Sequence, residues 1–218
     1  MPEPGTRPTV FLDRDGTINR EVNYLSRPDQ LALLPGVVDG LRRLCEGGFV
    51  LVVITNQAGV ARGYFSEKDV RLVHARLQEM LCAHGIVVDR FYYCPHHPDG
   101  MGAYRRTCPC RKPGTGLFER AILEMGLDPA QSFVVGDKGT DMLPGVSLGC
   151  RTVLVRTGYG EAHLASGALD DIAVDYVASD LGDAADWILW QRKCTSTLSS
   201  VCDPSAAPGA TGNRGGQA

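Results

Sequence analysis

No apolar run in the chain approaches the ~20 residues that a bilayer-spanning helix needs. Met1 to Thr9 is short, polar and proline-bearing, without the apolar centre of a secretory signal. Together these absences predict a cytoplasmic protein with no membrane partner. Basic excess is missing as well: 22 Lys and Arg stand against 25 Asp and Glu, a net charge of -3. That balance gives no electrostatic ground for nucleic acid as a partner. No internal repeat is evident. What is present is a soluble composition, 44% hydrophobic and 22% charged, over 218 residues. This suffices for one well-packed domain with short appendages.

The stretch Phe11-Leu12-Asp13-Arg14-Asp15-Gly16-Thr17 carries the first sign of a site. An apolar strand, Val10-Phe11-Leu12, runs into two carboxylates two residues apart. In a continuing strand such residues point to the same face, so Asp13 and Asp15 converge beyond the strand end. Two carboxylates there repel unless a cation lies between them, and a hard, oxygen-seeking ion such as Mg²⁺ suits that position. The competing reading is a strand ending in an acidic turn, because Asp and Gly are ordinary turn residues.

The later chain alternates strands and helices. Ile18 to Leu34 reads as a loop beside the carboxylates, and Val37 to Gly48 has helical spacing. Phe49 to Ile54 is a buried strand, followed by Thr55, Asn56, Gln57 and a glycine-bearing loop that could offer donors to an anion. Ser66 with Asp69 marks the capped start of a long helix. Val87 to Tyr93 reads as a strand and Leu117 to Met125 as a helix. Ser132 to Val135 is a strand that ends in Gly136-Asp137. A short helix over Thr140 to Leu148, strands at Thr152 to Val155 and Val174 to Val177, and a helix over Asp183 to Gln191 complete the series. Alternation of this kind predicts an α/β fold with a doubly wound parallel sheet. The domain organisation read from this is a short extension at 1–8, one domain at 9–192, and a polar tail at 193–218 expected to be disordered. Cys45, Cys82 and Cys150 stand singly and read as small core fillers.

In open α/β sheets, ligands gather at the carboxyl ends of the strands. Asp13 with Asp15, Thr55, Lys112 and Asp137 all fall at or just beyond such ends. The set suits phosphoryl transfer, which needs a nucleophile, a proton donor for the leaving oxygen, and positive charge around the transferring group. Asp13 is assigned as nucleophile, forming an aspartyl-phosphate, and Asp15 as general acid and then general base. Mg²⁺ is expected on the Asp13 carboxylate, the Asp15 main-chain carbonyl and Asp137, with Thr55 and Lys112 on the phosphoryl oxygens. Asp141 is expected to orient metal waters or Lys112.

The segments FLDRDGTIN, VITNQAGVARG, YYCPHHPDG, CPCRKP and VGDKGTDM resemble, in this order, those of the haloacid dehalogenase (HAD) phosphohydrolases. Within that superfamily they are closest to the D-glycero-D-manno-heptose 1,7-bisphosphate 7-phosphatase family, with histidinol phosphatase as its neighbour. The resemblance implies a Rossmann-like fold with a minimal cap, and Mg²⁺-dependent phosphomonoester hydrolysis of a small phosphorylated sugar by a monomer. It also implies substrate contacts at Glu21, Val22, Asn23, Tyr24, Thr55, Asn56, Gln57, Ala58, Arg111, Lys112 and Lys138. One departure is Gly114-Thr115-Gly116 after CRKP, where the family commonly has a proline before the glycine; this leaves the start of the next helix open. Two further readings were weighed: a polynucleotide phosphatase, which would need a cationic groove, and a zinc-stabilised binding module without catalysis.

Cys94-x-His96 and Cys108-x-Cys110 offer three thiols and an imidazole, a set that suits tetrahedral Zn²⁺. A disulfide within the group is the alternative, disfavoured by a cytoplasmic setting. The family resemblance implies that Cys94, His96, Cys108 and Cys110 bind a structural zinc, with His97 as the other available imidazole. Arg62, in the VARG loop, is left between screening the site and solvating a loop.

Overall fold

The structure, a computed structural model, describes residues 7–201. Six parallel strands form one sheet: β1 (Thr9–Leu12), β2 (Val50–Asn56), β3 (Arg90–Cys94), β4 (Phe133–Gly136), β5 (Arg151–Val155) and β6 (Tyr176–Ala178). Their order across the sheet is β3-β2-β1-β4-β5-β6. The order therefore reverses beside β1, which pairs with β2 on one side and β4 on the other. A ligand crevice opens at such a reversal, beyond the carboxyl ends of the strands.

Every residue of β1 is buried, and its side chains alternate between two layers, as strand geometry requires. Val10 and Leu12 join a core built on α1 (Val37–Glu46), α3 (Glu67–Cys82) and α7 (Leu181–Val201), with Leu41, Leu77 and Ile188 fully buried. Phe11 faces the opposite layer and meets Phe118 of α4 (Gly116–Met125) at 5.2 Å between ring centroids. Met142 of α5 (Gly139–Leu148) completes that side. Burial of each such side chain stabilises the fold by roughly 1.5–3 kcal/mol. This is the α/β architecture expected from the alternation. The helix after CRKP starts at Gly116 despite the missing proline.

Two short helices complete the chain, α2 (Ala58–Ala61) and α6 (Gly160–Ala165). The second was not expected, and it takes up His163 from what reads as an irregular stretch. The edge strands also start later than their hydrophobic runs suggest, and for the same reason. The Asp89 carboxylate accepts the Leu51 N–H at 2.9 Å, and the Asp175 carboxylate accepts the Thr152 N–H at 2.7 Å. Each aspartate satisfies a backbone donor of its inner neighbour, so strand pairing begins one residue further on, at Arg90 and Tyr176.

Helix α7 continues to Val201, beyond the boundary expected near residue 193. Nothing between Arg192 and Val201 stops a helix; the first proline is Pro204. The rest of the expected tail, 202–218, lies outside the described residues, as does most of the N-terminal extension. Cys150 is buried as expected, but Cys82, at the end of α3, is exposed. Among the described residues no helix is long and apolar enough to cross a membrane.

Candidate active site and metal clusters

Asp13 follows β1, Asp137 follows β4, and Asp141 lies in the first turn of α5. Although Asp13 lies 124 residues from Asp137 and 128 from Asp141 in sequence, oxygens of all three lie within 4.8 Å of one another, all three residues being buried. Adjacent parallel strands bring the first two together, and the helix that leaves β4 returns the third.

Lys112 enters this group from the loop after β3. Its Nζ donates to Asp13 Oδ1 at 2.7 Å and to the Ile54 carbonyl at 2.7 Å, and lies 2.7 Å from Asp141 Oδ1. All three ammonium donors are thus engaged, and Asp13 is held in a single orientation. The strand-to-loop connection that delivers the lysine is itself clamped. The Asn56 side chain donates to the Lys112 carbonyl and accepts from the Lys112 N–H, each at 3.0 Å.

Burial pushes the Asp13 carboxyl up to about 7; Lys112 opposes the shift, while Asp141 and Asp137 add to it. Asp137 is also raised, first by burial, against the pull of Lys138. Its Oδ1 lies 3.2 Å from Lys138 Nζ yet accepts no hydrogen bond. Its Oδ2 accepts the Tyr159 N–H at 2.8 Å and is overlaid by Gly16 and Gly158. Both glycines have positive φ, and a Cβ on either would come within 2.2 Å of that oxygen. A buried carboxylate oxygen without a hydrogen bond, within a cluster of three acids, fits a divalent cation with oxygen ligands.

Asp15 occupies a different environment. Its oxygens accept from Arg14 Nε at 3.2 Å, Arg14 Nη2 at 2.7 Å, Asn19 Nδ2 at 2.9 Å and Gln57 Nε2 at 3.0 Å. Burial alone would raise its pKa, but the Arg14 charge and these hydrogen bonds together hold it below the usual carboxylate range. Gln57 Nε2 also donates to Thr55 Oγ1 at 2.9 Å. Thr55 uses its oxygen as acceptor there, so its hydroxyl proton is free for another partner. Beneath this group, His74 of α3 stacks on Phe91 at 4.8 Å. Burial, reinforced by Arg14, depresses its pKa to about 3.

An open cleft leads away from Asp15, lined by Glu21, Asn23, Tyr24, Leu25, Asn56, Gln57, Ala58, Gly59, Lys138 and Tyr159. Lys138 Nζ lies 4.0 Å from Glu21 Oε2 and 4.4 Å from the centre of the Tyr159 ring. Asn23 and Tyr24 both hold positive φ, at 50° and 72°. Asn tolerates this region, but Tyr does so only at a cost of about 1–2 kcal/mol.

The second cluster lies at the end of β3 and in the loop that leads on to α4. Cys94 Sγ is 3.4 Å from Cys108 Sγ and 3.7 Å from His96 Nδ1, and Cys108 Sγ is 3.3 Å from His96 Nδ1. Ligands at Zn–S ~2.3 Å and Zn–N ~2.0 Å on a tetrahedron are separated by roughly 3.5–3.8 Å, so the three donors are already close to a zinc-sized spacing. Cys110 is not gathered into this group, although its thiol interacts with Cys108. The loop is fastened elsewhere by Glu67, which accepts from Tyr93 Oη at 2.6 Å and Tyr104 Oη at 2.7 Å. Arg111 Nη1 reaches the His96 carbonyl at 3.4 Å.

A HAD-hydrolase-like family model matches residues 109–184. The chain is 42% identical over 187 residues to the D-glycero-D-manno-heptose-1,7-bisphosphate 7-phosphatase of Thermosynechococcus vestitus, covering 84% of this chain and 95% of that one. It belongs to the heptose-1,7-bisphosphate 7-phosphatase family of HAD phosphatases. A Haemophilus ducreyi member is 46% identical over 151 residues, 68% of this chain and 83% of its own length. The crystal structure of the D,D-heptose 1,7-bisphosphate phosphatase from B. bronchiseptica, complexed with magnesium and phosphate, superposes with a TM-score of 0.76 at 33% identity. That alignment covers 84% of this chain and 99% of that one.

Within this HAD phosphatase the residues picked out by sequence divide into three places. Asp13, Lys112 and Asp137 meet in the carboxylate cluster, joined by Asp141. Glu21, Asn23, Tyr24, Asn56, Gln57, Ala58 and Lys138 line the cleft. Val22, Thr55 and Arg111 do not line it; Thr55 is buried and Val22 is exposed. The Asp15 side chain points to Arg14 and Gln57 rather than to the carboxylate cluster. Tyr159 and Gly158 went unnoticed in the sequence. Thr157-Gly158-Tyr159-Gly160 follows directly on β5, and the rule that ligands gather beyond strand ends applies to that strand as well.

Proposed function

We propose that the chain is a Mg²⁺-dependent phosphomonoester hydrolase that removes the 7-phosphate of D-glycero-D-manno-heptose 1,7-bisphosphate. The observation that carries this is the convergence of Asp13, Asp137, Asp141 and Lys112 beneath a polar cleft, in a chain of this family. Asp13 and Asp137, with the Asp15 carbonyl, hold the Mg²⁺. When bound, the ion offsets the excess of three carboxylates over the two lysines and so admits a phosphate dianion.

Asp13 is the nucleophile. Its Oδ1 is fixed by Lys112, and its carboxylate attacks phosphorus to form an aspartyl-phosphate as the P–O bond to the sugar breaks. Lys112 takes a phosphoryl oxygen by releasing one of its three present partners, and the free Thr55 hydroxyl proton serves another. Asp15 is ionised at neutral pH, which equips it to take a proton from the water that hydrolyses the intermediate. For the first half-reaction it takes up a proton as the anionic phosphoryl group comes alongside, then gives it to the leaving sugar oxygen. Gln57 keeps Asp15 and Thr55 in register. Cys94, His96 and Cys108, with Cys110 if it is drawn in, would hold a Zn²⁺ that serves the loop rather than the reaction. Steady-state kinetics with heptose 1,7-bisphosphate and histidinol phosphate, with and without Mg²⁺, test the reading. A clear preference for histidinol phosphate, or turnover in chelator, overturns it.

A further inference from the structure

The cleft wall contains a side chain held in place by residues that do not themselves line the cleft. Tyr24 sits at φ 72°, a conformation a tyrosine keeps only where its surroundings over-determine it. Its ring is met edge-on by Tyr64, 4.8 Å between centroids at 75°. The Arg62 guanidinium lies 5.8 Å from the Tyr24 ring centre. Arg62 Nε is buried without a hydrogen bond, and Arg62 forms no ion pair among the described residues. A guanidinium so placed has the aromatic face as its nearest favourable partner.

Arg62 and Tyr64 belong to a tightly built turn between α2 and α3. The Gly63 N–H donates to the Val60 carbonyl at 3.0 Å, and the Tyr64 N–H to the Gly59 carbonyl at 2.9 Å. The Phe65 ring packs against Gly59, where a Cβ would come within 2.1 Å of it. Ser66 then caps α3. Tyr64 is therefore 60% exposed yet fixed at its base, an unusual outlay for a surface residue without a task.

We propose that Arg62 and Tyr64 are specificity-determining residues that act through Tyr24, fixing the wall against which the sugar part of the substrate is held. The inference rests on the sugar-phosphate reading above. The reacting phosphoryl group is handled by Asp13, Thr55 and Lys112, none of which touches the Tyr24 contacts. Loss of the clamp therefore falls on sugar binding and spares the chemistry of a substrate that has no sugar.

The test compares heptose 1,7-bisphosphate with p-nitrophenyl phosphate in the Mg²⁺-loaded enzyme. Tyr64→Ala and Arg62→Ala raise KM for the bisphosphate, Tyr64→Ala by about three- to tenfold, the factor an aromatic pair is worth. Both leave kcat for the bisphosphate and turnover of p-nitrophenyl phosphate near the wild-type values. Tyr64→Phe, which keeps the edge contact, behaves as wild type. In a Tyr24→Gly background, Tyr64→Ala has no further effect. Equal losses on both substrates, unchanged KM for the bisphosphate, or full additivity with Tyr24→Gly overturns the proposal. A wild-type enzyme with no preference for the bisphosphate over p-nitrophenyl phosphate overturns the sugar-phosphate reading itself, and this inference with it.

Discussion

The two clusters of metal-ligating side chains are assembled by opposite means. Asp13 lies far in sequence from Asp137 and Asp141, and it meets them because two neighbouring parallel strands end side by side. Cys94, His96 and Cys108 lie within fifteen residues, at the end of β3 and on the loop that follows it, which has one short 3₁₀ turn and an isolated bridge between His97 and Arg105. In the first case the sheet topology brings the acids together, and the pKa values of Asp13 and Asp137 are raised, first by burial and then by neighbouring carboxylates. In the second, Cys94 is buried in the layer around Phe118 and Cys108 and Cys110 pack against it, so the donors are drawn together by their own stretch of chain and by that layer. A catalytic centre of this kind is a product of the sheet, whereas the thiol cluster is one of the things that makes its loop a structure.

The sharpest break of that comparison is Asp13→Asn. It removes the proposed nucleophile and metal ligand while keeping shape and hydrogen bonding to Lys112, so on the proposed mechanism kcat falls by about 10³-fold or more. Circular dichroism and thermal midpoint stay close to wild type. A mutant that retains substantial hydrolysis excludes the aspartyl-phosphate route.

Cys108→Ser acts on the other cluster and in the other currency. Loss of stoichiometric zinc and a fall in Tm of roughly 5–10 °C are expected, consistent with about 2–3 kcal/mol in a domain this size. Elemental analysis and calorimetry decide it. A zinc-free protein with unchanged Tm shows that the Glu67 contacts to Tyr93 and Tyr104 hold the loop unaided.

His74 probes the packing beneath Asp15. In the unfolded chain an imidazole takes up a proton below about pH 6.5, whereas the folded His74 does so only near pH 3. The unfolded state thus binds more protons through this window, and stability declines as pH falls from about 6.5 toward 3. At pH 5 the contribution is on the order of 2 kcal/mol. His74→Phe flattens that part of the profile, read from urea unfolding at pH 7.5 and pH 5; an unchanged slope shows that the imidazole is protonated in the fold.

The smallest effect belongs to the start of α3. Ser66 Oγ accepts from the Asp69 N–H, and the Asp69 carboxylate accepts from the Ser66 N–H. Ser66→Ala costs about 1 kcal/mol, seen as a Tm lower by a few degrees. Because Glu67 follows directly, the zinc loop loosens slightly as well, and zinc release to a chromogenic chelator quickens.

Much of this was legible from residues alone because hydrophobic period and strand-end chemistry are local signals. Val10 to Leu12, Val50 to Ile54 and Phe133 to Val135 announce buried parallel strands, and the polar residues just beyond them mark the crevice. What escaped depended on partners far away in sequence. Nothing local reveals that the Asp89 and Asp175 side chains complete a neighbour's backbone, and so the edge strands were drawn too long. Nor does the sequence near Asp15, read as general acid and base, reveal that Gln57 closes on its carboxylate together with Arg14 and Asn19. The short helix at 160–165 is too brief to show a period. The polar residues after Gln191 read as the end of α7, yet no breaker occurs before Pro204 and the helix runs to Val201.

The position of β1 has a consequence during synthesis. Its partner β2 leaves the ribosome some forty residues later, but β4 follows only after more than 120. At about 5–20 residues per second, the inner edge of β1 waits several seconds with its backbone groups unpaired. A nascent chain in that interval carries an apolar, template-ready strand and an Asp13 that has neither Lys112 nor Asp137 beside it. The enzyme is thus most vulnerable to misassociation just before its active site exists, and the arrival of β4 closes the edge and completes the site in one step.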